Sequence, residues 1–284
     1  MKREALAILI AVSGCAIEES DDDFGETSQD VDWIGPISWG TTNDLDGANT
    51  GLPAGSHVCV INAVGGDISS GGGRELGPDP GNGDIHGVVS VIENAEGGNR
   101  RLLAHGGRYG WQNWANSPVK GGATCMAGEY SRQGVWKTFS RHAANRKFLT
   151  YGAPGRVCFL TGVYAGSDMM NKQTDYAKVA YEASTNEWYI DSSMIGDDWN
   201  TGYVFAGCID FPSVTGYWGG AFGGATNTMT TGNGVKFCGL QGIYGAFGAQ
   251  SYRDGVFLNP PSTQTGNWTM TVSPGKYGEA ACVQ

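Results

Sequence analysis

Two segments carry the spacing of a serine–lysine acyl-transfer pair, Ser117-Pro-Val-Lys120 and Ser273-Pro-Gly-Lys276. That chemistry needs the serine at a helix N-terminus, so that the lysine lies one turn on and can take its proton. Both copies instead stand a few residues before a cysteine, in SPVKGGATC and SPGKYGEAAC, with proline and glycine around them. They read as one turn used twice. The four histidines, His57, His86, His105 and His142, fall in no metalloprotease, hydrolase or nucleotide-binding pattern. A hydrolytic site would have to be assembled from distant residues. Residues 43–47 and 79–84 offer oxygen ligands for a hard cation, but each loop supplies fewer side chains than the six or more oxygens calcium takes. The same Gly/Asp/Asn letters serve turns. The chain is therefore read as a non-enzyme with no cofactor and no metal.

Binding chemistry is better represented. Between 132 and 147 lie Arg132, Lys137, Arg141, His142, Arg146 and Lys147, with no acid among them. Such a cluster suits an anionic glycan, lipopolysaccharide or phospholipid head group, although a solvated face carries the same letters. Trp114 and Trp199 stand in turn-rich segments. An aromatic on a loop can stack against the apolar face of a sugar, so both are candidate ligand contacts.

The elements that position these residues come from a repeat. The order Trp, Cys, Trp, Cys occurs three times, as Trp39, Cys59, Trp111, Cys125, then Trp136, Cys158, Trp188, Cys208, then Trp218, Cys238, Trp268, Cys282. First Trp to first Cys spans 20, 22 and 20 positions. A fixed internal spacing means one supersecondary unit used repeatedly. Period-2 runs such as Tyr176 to Ala183 and Glu187 to Asp191 read as strands, four or five to a unit. Residues 133–149 are the one helix candidate, in competition with a strand. The expected fold is all-β: three homologous disulfide-containing repeats packed with pseudo-threefold symmetry, as in a β-prism or β-trefoil. Tandem small β domains are the alternative. The repeat pairs the cysteines as Cys59–Cys125, Cys158–Cys208 and Cys238–Cys282. The units run over 33–128, with a Gly-rich insertion at 67–84, then 129–211 and 212–284.

Glycine is abundant at 47 residues, without the strict triplet period of collagen. The net charge of −10 is concentrated near the start. Between Cys15 and Asp32 there are eight acids and no Lys or Arg, and the remaining body carries 16 basic against 19 acidic residues. A body so nearly neutral lacks the basic footprint of a nucleic-acid binder. The acidic run, 15–32, is too poor in apolar residues to offset its ordering entropy and reads as a flexible tether.

Lys2-Arg3 precede eight apolar residues, too few to span a bilayer, and the segment ends in Val12-Ser13-Gly14-Cys15. This stretch resembles the lipobox of bacterial lipoproteins. The resemblance implies a signal peptide over 1–14, a lipidated Cys15, and attachment to a membrane by more than one acyl chain. With Ala16 after the cysteine it implies the outer membrane. An exported chain reaches an oxidising space where disulfides persist. The expected function is a lipid-anchored, non-catalytic envelope module for binding or adhesion, with glycans or an anionic envelope polymer as partners. The alternatives are a structural lipoprotein that assembles with other proteins, and a hydrolase with a dispersed site.

Overall fold

The structure is a computed structural model that describes residues 34–39, 48–70, 87–93, 98–105, 119–139, 145–166, 169–194, 201–211, 217–224, 226–229, 237–248, 251, 253–262 and 266–283. Cys15, Trp114, Arg141, Trp199, Ser117 and both candidate cation loops lie outside these residues. The first unit contributes β1 (Ile34–Trp39), β2 (Ala48–Pro53), β3 (His57–Gly66), β4 (Gly87–Glu93), β5 (Asn99–His105) and β6 (Val119–Ala127). The second contributes β7 (Arg132–Phe139), β8 (Asn145–Tyr151), β9 (Arg156–Ala165), β10 (Tyr176–Glu182), β11 (Glu187–Ser193) and β12 (Thr201–Asp210). The third contributes β13 (Tyr217–Gly223), β14 (Thr226–Met229), β15 (Phe237–Gly245), β16 (Gly255–Asn259), β17 (Trp268–Val272) and β18 (Lys276–Val283). A 3₁₀ turn, Ile68–Ser70, follows β3.

Each unit thus has six strands where the period-2 runs predict four or five. The additional ones are edge strands such as β13 and β14, whose YWGGAFG and TNTM show no apolar alternation. The helix candidate at 133–149 holds β7 and β8 instead. Its aromatic and β-branched residues pack better on a pleated surface than on a helix.

The strands form three six-stranded sheets, and each joins halves of two different units. Sheet I runs β1-β6-β3-β16-β17-β14, sheet II runs β2-β5-β4-β9-β12-β7, and sheet III runs β13-β18-β15-β10-β11-β8. Counted within a unit, strands one, six and three hydrogen-bond onward to strands four, five and two of a neighbouring unit. The rule holds around the whole cycle, so no unit keeps a sheet to itself. This is pseudo-threefold packing and excludes tandem independent domains, since residues 31–284 form one contact unit.

Two local features recur with the cycle. The paired cysteines lie directly opposite one another on strands three and six, with Cα atoms 4.0, 3.9 and 4.1 Å apart in the first, second and third unit. Three positions after the first cysteine of each pair the register skips a residue: Asn62, Thr161 and Gln241. A bulge at a fixed position bends the strand and increases its twist.

Strands three are nearly continuous in burial because both their faces are covered, and they pack on one another at the centre of the fold. The residues after the first cysteines meet there. A Cβ added at Gly239 would stand 2.6 Å from both Phe159 Cδ1 and Val60 Cγ2. Phe159 fills the space, so only glycine fits opposite it. Strands β10 and β11 alternate buried and open residues, as expected of a sheet with one solvated face. Asp67 and Ile68, the first residues of the Gly-rich segment, pack into the fold: Asp67 pairs with Gly248 of the third unit, and Ile68 is fully buried.

Candidate ligand-binding face

The outer face of sheet III carries a row of three tyrosines on adjacent strands. Tyr277 on β18 lies opposite Tyr244 on β15, which lies opposite Tyr176 on β10. The rings of Tyr176 and Tyr244 are 5.6 Å apart and inclined by 30°. Glycines beneath Tyr277 and Tyr244 let those two rings lie over the backbone. A Cβ at Gly223 would stand 2.4 Å from the Tyr277 ring, and one at Gly242 would stand 2.9 Å from Tyr244 Cε2. A ring held this way turns a face outward, and Tyr277 is 55% exposed.

Carboxylates pin the inner two tyrosines. The Tyr176 hydroxyl donates to Asp191 Oδ1 at 3.1 Å, and Tyr244 is hydrogen-bonded to Glu279. Burial, then the Asp191 charge, pushes the Tyr176 phenol up to about 12. Burial and Glu279 push Tyr244 well above the ordinary phenol value. Both phenols therefore stay neutral donors at physiological pH. Lys178 Nζ reaches Asp191 at 3.6 Å. Further along the face, the Arg146 guanidinium lies 3.9 Å over the Tyr189 ring and pairs with Glu182 at 2.5 Å and Glu187 at 3.8 Å. Phe148 and Tyr151, 47% and 60% exposed, stand with ring centres 4.9 Å apart. The face thus combines open aromatic rings with fixed polar groups, and its carboxylates outnumber its cations.

The basic cluster is divided between two strands. Arg132 and Lys137 lie on β7 at the edge of sheet II, whereas Arg146 and Lys147 lie on β8 at the edge of sheet III. Arg132 is exposed. Lys147 Nζ donates to Val135 O at 3.0 Å and lies 5.8 Å from the Trp136 ring. Arg146 is committed to its two glutamates. The S-x-x-K turn behaves as a turn: Lys276 N donates to Ser273 O, Ser273 Oγ accepts from Gly255 N at 2.9 Å, and buried Lys276 reaches Asp254 Oδ2 at 2.6 Å. Among the described residues no cluster of three His, Cys, Asp or Glu gathers for a metal.

Sequence reasoning missed the tyrosine row. The signal was present in part, because Tyr164 and Tyr244 both stand six positions after the first cysteine of their units. The alignment of Tyr176 with Tyr244 depends on pairing between units, which no local pattern reports.

No family model matches the chain, and no curated protein or solved structure matches it either.

Proposed function

We propose that the chain is a non-catalytic, lipid-anchored envelope module that binds glycan through the outer face of sheet III. The observation that carries this reading is the row Tyr277–Tyr244–Tyr176, in which the Tyr277 and Tyr244 rings lie over glycine and the Tyr244 and Tyr176 hydroxyls are held by carboxylates. A pyranose offers an apolar face to such rings and hydroxyls to the carboxylates beside them. The excess of acid on the face favours a neutral glycan over an anionic one. Three disulfides fit the oxidising compartment that the lipobox resemblance implies. Cys15 would carry the anchor, which labelled palmitate incorporation tests, with Cys15→Ser expected to abolish it.

Binding is tested by affinity electrophoresis of the full chain through gels holding neutral or sulfated polysaccharides. Retardation by a neutral polymer, insensitive to salt and lost in Tyr277→Ala with Tyr244→Ala, supports the reading. Unchanged retardation in that variant removes the tyrosine row from it. Salt-sensitive retardation by the sulfated polymer, lost on Lys147→Glu, would move the site to the basic corner. The same exposed aromatics suit a protein partner, which is the second reading. It gains if no polysaccharide binds and a cross-link through Tyr277 captures another envelope protein.

A further inference from the structure

A recess lies away from the tyrosine row, at the end of sheet III where it approaches sheet II. It is a cleft of about 380 Å³ lined by Gly152, Ala153, Pro154, Arg156, Tyr181, Asn186 and Trp188. Alternation along β10 places Tyr181 on the opposite face of the sheet from Tyr176. We propose that this cleft is a separate site for a single neutral sugar unit, such as the end of a glycan chain. The proposal rests on the reading of the protein as a glycan binder.

The walls are fixed before any ligand arrives. Ala153-Pro154-Gly155-Arg156 closes a turn through Arg156 N to Ala153 O at 3.0 Å, with Gly155 at φ +74°. Proline then glycine at the two central positions is the type II pattern. Opposite it, the β10–β11 hairpin turn carries Asn186 at φ +56°, a conformation that asparagine tolerates. Gly152 N donates to Asn186 O at 2.8 Å, and the Tyr181 hydroxyl donates to Asn186 Oδ1 at 2.8 Å. Tyr181 is 40% exposed and is backed by buried Trp188, with ring centres 5.3 Å apart. One wall is therefore a rigid aromatic surface and the other a ring of polar groups.

The charge state selects among ligands. Arg156 Nε and Nη2 donate to the two oxygens of Asp210 at 2.7 and 2.6 Å, and Nη1 donates to Thr150 Oγ1 and Tyr151 O. These bonds use every guanidinium N–H but one, on Nη2. The Arg156 hydrogen bond in turn holds the Asp210 carboxyl below the ordinary carboxylate range. The cation is thus neutralised in place, which disfavours phosphate or sulfate, while one directed donor remains for a hydroxyl. The volume falls at the low end of small-molecule sites, about 300–1,000 Å³, and suits one or two sugar rings.

The test is saturation-transfer NMR on the full chain with a panel of methyl glycosides of glucose, galactose, mannose and N-acetylglucosamine. At least one is expected to bind in the millimolar range usual for so small a ligand. Tyr181→Ala should weaken it about tenfold or more, the scale of losing an aromatic anchor. Tyr181→Phe, which keeps the ring, should retain most of it. Ala153→Phe fills the cleft from a half-buried turn at its rim and should also abolish binding, which covers the case of a poorly folded Tyr181→Ala. Tyr277→Ala should leave the methyl glycoside unaffected. If polysaccharide is bound through the tyrosine row and no methyl glycoside binds, or Ala153→Phe leaves its binding intact, the cleft assignment is overturned and the functional reading stands. If no saccharide binds at either place, both fall. Competition by inorganic phosphate would overturn the neutral-sugar assignment.

Discussion

The centre of the fold makes a sharp prediction through Gly239. Its Cβ position lies 2.6 Å from Phe159 Cδ1 and Val60 Cγ2, and Phe159 and Val60 are both fully buried. A methyl group cannot enter without displacing the Phe159 and Val60 side chains, which belong to two other units. Overpacking of a filled core costs about 1–3 kcal/mol, and Gly239→Ala is expected toward the upper end because the opposing atoms belong to rigid central strands. Phe159→Val alone removes most of a ring and should cost about 2–4 kcal/mol, less than full truncation to alanine. Together the two changes offset each other in part, since the added methyl occupies some of the space the ring leaves. The double variant Gly239→Ala, Phe159→Val should therefore be more stable than the sum of the single losses by about 1 kcal/mol or more, within the usual range for contacting residues. For a body of this size each kcal/mol moves Tm by roughly 2–4 °C. Differential scanning calorimetry and urea unfolding of the four proteins measure the coupling. Additivity within about 0.3 kcal/mol would mean that the two side chains do not meet, and the three-unit packing at the centre would be wrong.

Further outcomes follow from the same interlocking and from the polar contacts. Removing one disulfide, with Cys238→Ala and Cys282→Ala, should cost about 2–5 kcal/mol. It should also lower a single cooperative transition, because the strands of the third unit complete two different sheets; a separate early transition for one third of the chain would contradict the strand exchange. Asp254→Asn leaves Lys276 buried without its carboxylate and should cost about 3 kcal/mol, the low end for broken buried pairs because Asp254 is partly open to water. Lys276→Met added to it should recover most of that loss in urea unfolding. In alkaline titration followed near the phenolate band, Tyr176 should ionise near pH 12, well after an ordinary tyrosine. Its folded value is raised, so its contribution to stability is complete below about pH 10 and is lost as pH rises toward 12. Tyr176→Phe should flatten that decline.

What the sequence made legible was set by range. The cysteine and tryptophan spacing reported the repeat and the three bridges, because both cysteines of each bridge belong to one unit. Strands three and six were readable from apolar or alternating runs such as Arg156 to Tyr164. The first and second strands of each unit were harder, since they are edges: β2 reads ANTGLP and β14 reads TNTM, with little to bury. The exchange of halves between units left no local trace. Pairs such as Tyr176↔Tyr244 and Gly255↔Gly65 join residues of different repeats, and a self-contained unit would have given the same spacing. The ligand candidates drawn from composition, Trp114, Trp199 and the Arg/Lys cluster, followed residue type. The tyrosine row follows from register.

The row that carries the tyrosines exists once per sheet, and its three versions differ. In sheet I it reads Lys120–Gly65–Gly255, in sheet II Tyr203–Tyr164–Val88, and in sheet III Tyr277–Tyr244–Tyr176. Sheet I has no ring in the row. In sheet II, Val88 is 1% exposed and the Tyr164 phenol is raised by burial, so that row is closed at one end. Sheet III alone has three rings with one widely open. Threefold architecture therefore does not give three equal sites, and avidity from repetition within the chain is not expected. A polysaccharide fragment short enough to cover one face should titrate at one per chain on the tyrosine row, a ratio unchanged by Tyr203→Ala and abolished by Tyr277→Ala with Tyr244→Ala. Additional sites by calorimetry that survive Ala153→Phe, which closes the cleft, would show that the faces of sheets I and II bind as well, and that ring placement does not decide where glycan goes. With one such face per chain, any avidity would have to come from many copies held together, as the proposed lipid anchor would hold them.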